Sequence, residues 1–232
     1  MPDVTVFISA YDPYTACWPV LCYSMAKYWP DCPWPVQFVT NHLDAPCGES
    51  AIKVGDYVSW TDTTRRALQR VRTEFLLFLI EDYWITAPVD TASLVQFVEV
   101  MITHNLGYLL LTPGSQTYKA DFDESLGILA NDSRYRVSLQ ASIWRVQTFL
   151  NLLEGDESIW QFEVNGTKRS KGSDKFVGVK ENKYLRYVQT CHPDYKQGVV
   201  VKAKWTQSAQ KYIECEDLSV NLSLNPDGTH NG

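Results

Sequence analysis

The apolar run Phe75-Leu76-Leu77-Phe78-Leu79-Ile80 ends abruptly in Glu81-Asp82-Tyr83. A run this short, rich in Leu and Phe and preceded by a helical pattern, reads as a strand buried on both faces of a parallel sheet. Ligands of open α/β sheets bind in the crevice beyond the carboxyl ends of the strands. Glu81 and Asp82 are therefore expected where a phosphate-bound metal or a sugar would lie. The plain alternative is a helix cap or a surface acidic pair, and the strand in front of the pair favours a site. Arg65, Arg66, Arg70 and Arg72 crowd the helix just upstream. A guanidinium fork suits phosphate oxygens, although a solvated helix face is the expected role of at least two of the four. Asp156 and Glu157 form a second acidic turn before Ser158, where a helix N-cap or first-turn acid is an almost equal reading.

The elements that must position these groups alternate. A β-branched strand over Val4–Ser9 opens into the turn Ala10-Tyr11-Asp12-Pro13-Tyr14. A helix follows over 14–28, closed by Trp29-Pro30, because a residue before proline resists the α conformation. Val36–Thr40 reads as the second strand, and 51–54 and 57–58 as weaker ones. Thr61-Asp62-Thr63 offers N-cap chemistry to a helix ending near Arg72. With the strand at Phe75–Ile80 this makes a doubly wound order. Downstream, 91–104 reads as a helix and 107–111 as a buried strand, with a polar loop over 113–124. Residues 136–144 alternate, with Ser138, Gln140, Ser142 and Trp144 on one side of a predicted strand. A short helix over 146–153 and a helical turn over 158–163 follow. The basic, Gly- and Ser-containing stretch 165–178 reads as a mobile loop, and 198–202 as a last strand. The predicted layout is one α/β domain over 1–213 and a polar tail or linker over 214–232.

Composition limits the possibilities. A chain of 232 residues with 45% hydrophobic residues, 8 Trp and 13 Tyr can bury a substantial core and still present flat rings to sugars or bases. A net charge of −6 argues against general nucleic-acid binding, which needs a positive face. No basic segment followed by an apolar stretch opens the sequence, and the apolar runs are too short to span a bilayer. Six cysteines, Cys17, Cys22, Cys32, Cys47, Cys191 and Cys215, form no Cys-x-x-Cys or zinc spacing. They are expected to be reduced thiols of a cytoplasmic protein, which makes the Asn-x-Ser/Thr triplets at Asn131, Asn165 and Asn221 accidental.

To about Trp205, the order of pieces resembles the GT-A fold of nucleotide-sugar-dependent glycosyltransferases, a Rossmann-like and mostly parallel sheet with helices on both faces. The stretch from Trp60 through the arginine-rich helix to Glu81-Asp82 carries the likeness best. Ser138-Leu139-Gln140-Ala141-Ser142-Ile143-Trp144 and Gly155-Asp156-Glu157-Ser158-Ile159-Trp160-Gln161 resemble the acceptor-side segments of such enzymes, glycogenin among them. They are also similar to a small bacterial and viral group carrying Leu-Gln-x-x-Ile-Trp followed by Gly-x-Glu-x-x-Trp-x-Phe-Glu. The family motif is of the Asp-x-Asp type, and this chain departs from it by placing Tyr83 at the last position.

The resemblance implies transfer of a hexose from a nucleoside-diphosphate sugar, UDP or dTDP, to a glycan or glycoconjugate in surface polysaccharide synthesis. It places Ser9, Tyr11, Asp12, Trp60, Arg65, Arg66, Glu81, Gln140 and Trp160 around the donor, and Asp82 on a Mg²⁺ or Mn²⁺ ion. With one carboxylate fewer, such an ion would lean on the diphosphate and water. Glu157, with Asp156 beside it, is the implied general base, and Glu163 the second choice. Trp144 and Trp160 are candidate stacking platforms, Lys202 and Lys204 candidate diphosphate lysines, and His192 a candidate metal ligand or surface residue. Two other activities fit the same sheet. A nucleotidyltransferase should show a Gly-rich basic loop after the first strand, and a carbohydrate-binding module should ignore nucleotides.

Overall fold

The computed structural model describes residues 2–173, 175–189, 197–220, 222 and 226–227. Among them, one sheet is built from β1 (Val4–Ser9), β2 (Val36–Thr40), β3 (Ser50–Lys53), β4 (Phe75–Ile80), β5 (Tyr108–Leu110), β6 (Tyr118–Asp121), β7 (Leu126–Leu129), β8 (Ser142–Arg145) and β9 (Phe176–Val179). Its spatial order is β3-β2-β1-β4-β8-β5-β9-β7-β6. The strands β10 (Val200–Val201) and β11 (Lys204–Trp205) form a separate hairpin. The helices are α1 (Trp18–Tyr28), α2 (Trp60–Leu68), α3 (Thr91–Thr103), α4 (Val146–Leu152), α5 (Ile159–Arg169) and α6 (Gln207–Cys215).

β4 lies in the middle of this sheet because both its faces are apolar. Phe75, Leu77 and Leu79 enter one core with Leu21 of α1, Phe97 of α3 and Tyr212 of α6. Leu76 and Phe78 enter the other with Leu68 of α2, Phe149 of α4 and Phe162 of α5. The period-two alternation of a strand thus sorts six helices onto two faces, at roughly 1.5–3 kcal/mol for each large side chain fully buried. The α/β, Rossmann-like architecture read from the sequence is present, with a mixed sheet. β1 pairs in parallel with β2 and β4, and β2 with β3, whereas β8 runs antiparallel to both β4 and β5. The register Ser9↔Ile80 brings the carboxyl ends of β1 and β4 level.

The second half departs from the sequence reading in several places: β6 (Tyr118–Asp121) lies within the expected loop over 113–124, and the strand expected over 198–202 is reduced to β10 (Val200–Val201) of the separate hairpin. Residues 136–141 are not a strand, and β8 is confined to Ser142–Arg145. Arg136, fully buried, is the reason. Its guanidinium donates to the Ser170 carbonyl (2.6 Å) and hydroxyl (2.9 Å) and to the Ser173 carbonyl, and packs on Phe176. An arginine held by the C-terminal end of α5 pins 136–141 across that helix instead of along the sheet. Stretch 165–178 is mostly regular: α5 continues to Arg169 and β9 begins at Phe176. A Cβ on Gly166 would stand 3.2 Å from Val137, so the small residue there permits close packing of α5. Finally, α6 carries the body of the fold past residue 213. Tyr212 donates to the Ile85 carbonyl at 2.9 Å, and Glu216 accepts from Tyr23 and Tyr28 of α1. Among the described residues no helix is long and apolar enough to cross a membrane, and Cys17, Cys22, Cys32, Cys47 and Cys215 are free thiols. Cys191 and Asn221 lie outside the described residues.

Candidate functional site

A cleft of about 480 Å³ opens at the carboxyl ends of β1 and β4. Ser9, Ala10 and Tyr11 form one wall, Glu81 and Asp82 the floor, Gln140, Trp160 and Glu163 the opposite wall, and Lys202 at the tip of the β10–β11 hairpin the rim. The Glu81 amide donates to the Ser9 carbonyl at 3.3 Å, and the Glu81 carboxylate accepts from the Tyr11 backbone. The acidic pair and the end of the first strand therefore share one crevice, where an open α/β sheet places its ligand. The rings of Tyr11 and Tyr57 stand 5.4 Å apart and those of Tyr11 and Tyr14 5.8 Å, which gives this end of the cleft an aromatic wall. Trp60 and Thr63 also line it, with Trp60 Nε1 and Thr63 Oγ1 turned into the protein, buried and without a hydrogen-bond partner among the described residues.

Tyr83 accounts for the departure from the Asp-x-Asp pattern. Buried on the sheet side, it donates to the Leu139 carbonyl at 3.1 Å and stacks on Tyr187 at 4.2 Å. Tyr187 in turn accepts from the Ala141 amide and donates to Gln140 Oε1 at 2.6 Å. The tyrosine at position 83 thus helps to fix the Gln140 side chain, whose Nε2 has no partner among the described residues.

Several predicted site residues lie elsewhere. The Asp12 carboxylate accepts from the backbone of Asn41, His42 and Leu43, so it shapes the turn after β2. Arg65 donates to the Leu153 carbonyl, and Arg66 to the carbonyls of Val54 and Asp56 while pairing with Asp62. Neither arginine lines the cleft, since the guanidinium groups bind neighbouring loops. Asp156 accepts from Ser59, the N-cap of α2, at 3.2 Å. Glu157 is held by Arg169 (2.9 and 2.7 Å) and Asn165 (2.7 Å). Trp144 is core, stacked on Phe149 at 4.4 Å. Lys204 is not part of the lining that Lys202 joins, and His192 lies outside the described residues. Tyr14, Asn41, Tyr57 and Gln189, which also line the cleft, carry no sequence signal that separates them from core or loop residues.

Among the described residues the carboxylates of the cleft form no ion pair with a lysine or arginine. Burial and then the neighbouring Asp82 charge push the Glu81 carboxyl well above the usual range. Burial raises Asp82 to about 6, against backbone hydrogen bonds that include one from Val200. Burial likewise raises Glu163, whose Oε1 accepts from the Leu139 amide (2.7 Å) and the Ser138 hydroxyl (3.1 Å) while Oε2 has no partner among the described residues. Lys202 is the sole cation among the described lining residues. Two adjacent, desolvated carboxylates at a cleft floor fit a hard divalent cation, which relieves like-charge crowding. Among the described residues no cluster of three or more His, Cys, Asp or Glu could enclose one, so the pair fits an ion that draws its other oxygens from ligand and water.

The architecture is shared with solved structures. S. aureus TarS 1-349 superposes with a TM-score of 0.52 at 15% identity, over 80% of this chain and 60% of that one. The same protein in complex with UDP gives 0.51. A cytidylyltransferase from Leptospira borgpetersenii serovar Hardjo-bovis gives 0.55 at 12% identity, over 97% of this chain and 91% of that one. The chain shares its α/β, Rossmann-like fold with TarS and with this cytidylyltransferase. This chain spans 60% of the length of the TarS chain it matches. No protein-family model matches the sequence, and no curated protein matches it.

Proposed function

We propose that the protein is a glycosyltransferase, moving a hexose from a nucleoside-diphosphate sugar, UDP or dTDP, to a glycan acceptor, in surface polysaccharide synthesis. The observation that carries the reading is the Glu81-Asp82 floor, level with the end of β1 and facing Gln140 and Glu163 across one cleft. Asp82, backed by Glu81, would hold a Mg²⁺ or Mn²⁺ ion, which when bound neutralises the diphosphate leaving group. Lys202 approaches the same group from the rim. The aromatic wall of Tyr11 and Tyr57 offers stacking to a base, and the Gln140 amide nitrogen offers a donor to sugar hydroxyls. The base role expected of Glu157 passes to Glu163. Both Glu157 oxygens are occupied by Arg169, whereas Glu163 Oε2 has no partner among the described residues and burial raises the proton affinity of the carboxyl, in the direction a general base needs.

Nucleotidyl transfer is less well supported. After β1 the chain enters a 3₁₀ turn over Asp12–Cys17 with no basic Gly-rich loop to cradle a triphosphate. A thermal-shift screen of UDP, GDP, dTDP and CMP, with and without Mn²⁺, tests the reading, since a ligand that binds the folded state raises its melting temperature. A nucleoside diphosphate should stabilise the protein and its hexose derivative should be turned over. A protein that forms a nucleotide sugar from CTP or UTP and a sugar phosphate would support the nucleotidyltransferase instead, and one indifferent to all nucleotides a binding module.

A further inference from the structure

A second hollow of about 310 Å³ adjoins the cleft and shares Gln140, Glu163 and Gln189 with it. Its remaining walls come from 112–116 and from Tyr135 and Ser138. Apart from Glu163 every described side chain in this lining is neutral, and most are hydroxyls or amides. Tyr135 sits in the left-handed region at φ 50, a conformation that costs a non-glycine residue of order 1 kcal/mol. Gln116 holds it there, donating to the Tyr135 carbonyl at 3.0 Å and accepting from the Gly114 amide at 2.9 Å. A strained aromatic fixed at the wall of a polar hollow is a platform for a ring with one apolar face and a rim of hydroxyls. Arg134 packs on that ring, 5.2 Å from its centroid, and does not line the hollow.

We infer that this hollow is the acceptor subsite and that it selects a neutral, hydroxyl-rich saccharide, one without phosphate, sulfate or carboxylate at the bound sugar. The inference rests on the glycosyltransferase reading and adds the acceptor class to it. Hydroxyl and amide groups both donate and accept, as sugar hydroxyls do, so a neutral ring can be fully paired here. An anionic sugar would be desolvated beside the Glu163 carboxylate with no cation among the described lining residues to offset it. Glu163 stands at the junction of the two spaces. There the acceptor O–H gives its proton to Oε2, its oxygen bonds the anomeric carbon, and the bond from that carbon to the diphosphate breaks with the electron pair leaving on the phosphate oxygen. The products are the lengthened glycan, the nucleoside diphosphate and protonated Glu163.

Saturation-transfer NMR in the presence of UDP tests this with methyl hexopyranosides and the matching uronic acids and hexose 6-phosphates. Neutral sugars should give signals, and Tyr135→Ala should weaken them about tenfold, the equivalent of one lost ring contact. Gln116→Leu, which frees the Tyr135 turn while keeping the ring, should weaken them less. Glu163→Gln should admit the uronic acids. Calorimetry with UDP on the same proteins separates the two readings, because loss of all nucleotide binding in the parent protein defeats the glycosyltransferase reading. With UDP bound, three results would overturn the acceptor inference: a preference for acidic sugars, neutral-sugar signals untouched by Tyr135→Ala, or no saccharide signal at all.

Discussion

Glu157 gives both carboxylate oxygens to partners, with Arg169 across from it in two hydrogen bonds and Asn165 beside it. The Arg169 hydrogen bond holds its carboxyl below the usual range. Glu81, Asp82 and Glu163 have opposite surroundings, since burial raises all three and no lysine or arginine side chain among the described residues is bonded to them. In sequence both regions are acidic turns at the ends of apolar or helical segments. In space, the paired carboxylate fastens α5 to the loop before it, while the unpaired ones floor a cleft. A satisfied ion pair has little left for chemistry, and a desolvated acid without a counterion is held ready for one.

The comparison breaks most sharply at Asp82. Asp82→Asn should slow turnover of the nucleotide sugar at least ~100-fold, about 2.7 kcal/mol of transition-state stabilisation, and leave the melting temperature unchanged or higher, because a buried charge has been removed. Unaltered kcat would sever the acidic pair from the chemistry. Glu157→Gln should do the reverse, lowering stability by roughly 2 kcal/mol and the melting temperature by about 4–8 °C with kcat retained.

Proton linkage sharpens the same contrast. Because the folded Glu157 carboxyl is depressed, its stabilisation is present above the unfolded carboxylate range near pH ~4.3 and is lost as pH falls through the folded value. The stability gap between the parent protein and Glu157→Gln should therefore close in acid. Glu163 has the opposite sign. Its stabilising contribution is complete below that range and lost as pH rises through the raised folded value. Glu163→Gln should match the parent in acid and exceed it at pH 8 in denaturant midpoints.

Smaller effects are expected at the rim. Lys202 and Ala203 form the two-residue turn of the β10–β11 hairpin with φ of 52 and 59, a geometry that favours Asn-Gly. Replacing the pair with Asn-Gly should stabilise the protein by about 1 kcal/mol while weakening UDP about tenfold, whereas equal affinity would exclude Lys202 from the diphosphate. Trp160, 74% exposed at the start of α5 and lining the donor cleft, should tolerate Trp160→Ala with no change in melting temperature and a higher KM for the nucleotide sugar.

How much of this was legible depended on range. β1, β2 and β4 match the strands read from sequence because local apolar patterning and flanking turns suffice for them. The acidic floor followed from the same patterning and the general behaviour of strand ends. The segment at 136–141 was misread because Val137, Leu139 and Ala141 alternate like a strand, while the contact that overrides them, Arg136 against the end of α5, is long-range. The choice between Glu157 and Glu163 was equally invisible, since Arg169 lies twelve residues from the acid it neutralises and only the turn geometry brings them together. Arginine-rich α2 looked like a phosphate site because residue type shows charge without showing which carbonyls already accept from it.

The most direct test of the central claim is calorimetric titration of UDP, with Mn²⁺ present, into the parent protein and into Asp82→Asn. A nucleoside-diphosphate cleft floored by residues 81 and 82 predicts saturable one-site binding to the parent and at least a tenfold loss in the variant, equal to about 1.4 kcal/mol. Equal affinity in the two proteins, or none in either, would contradict it.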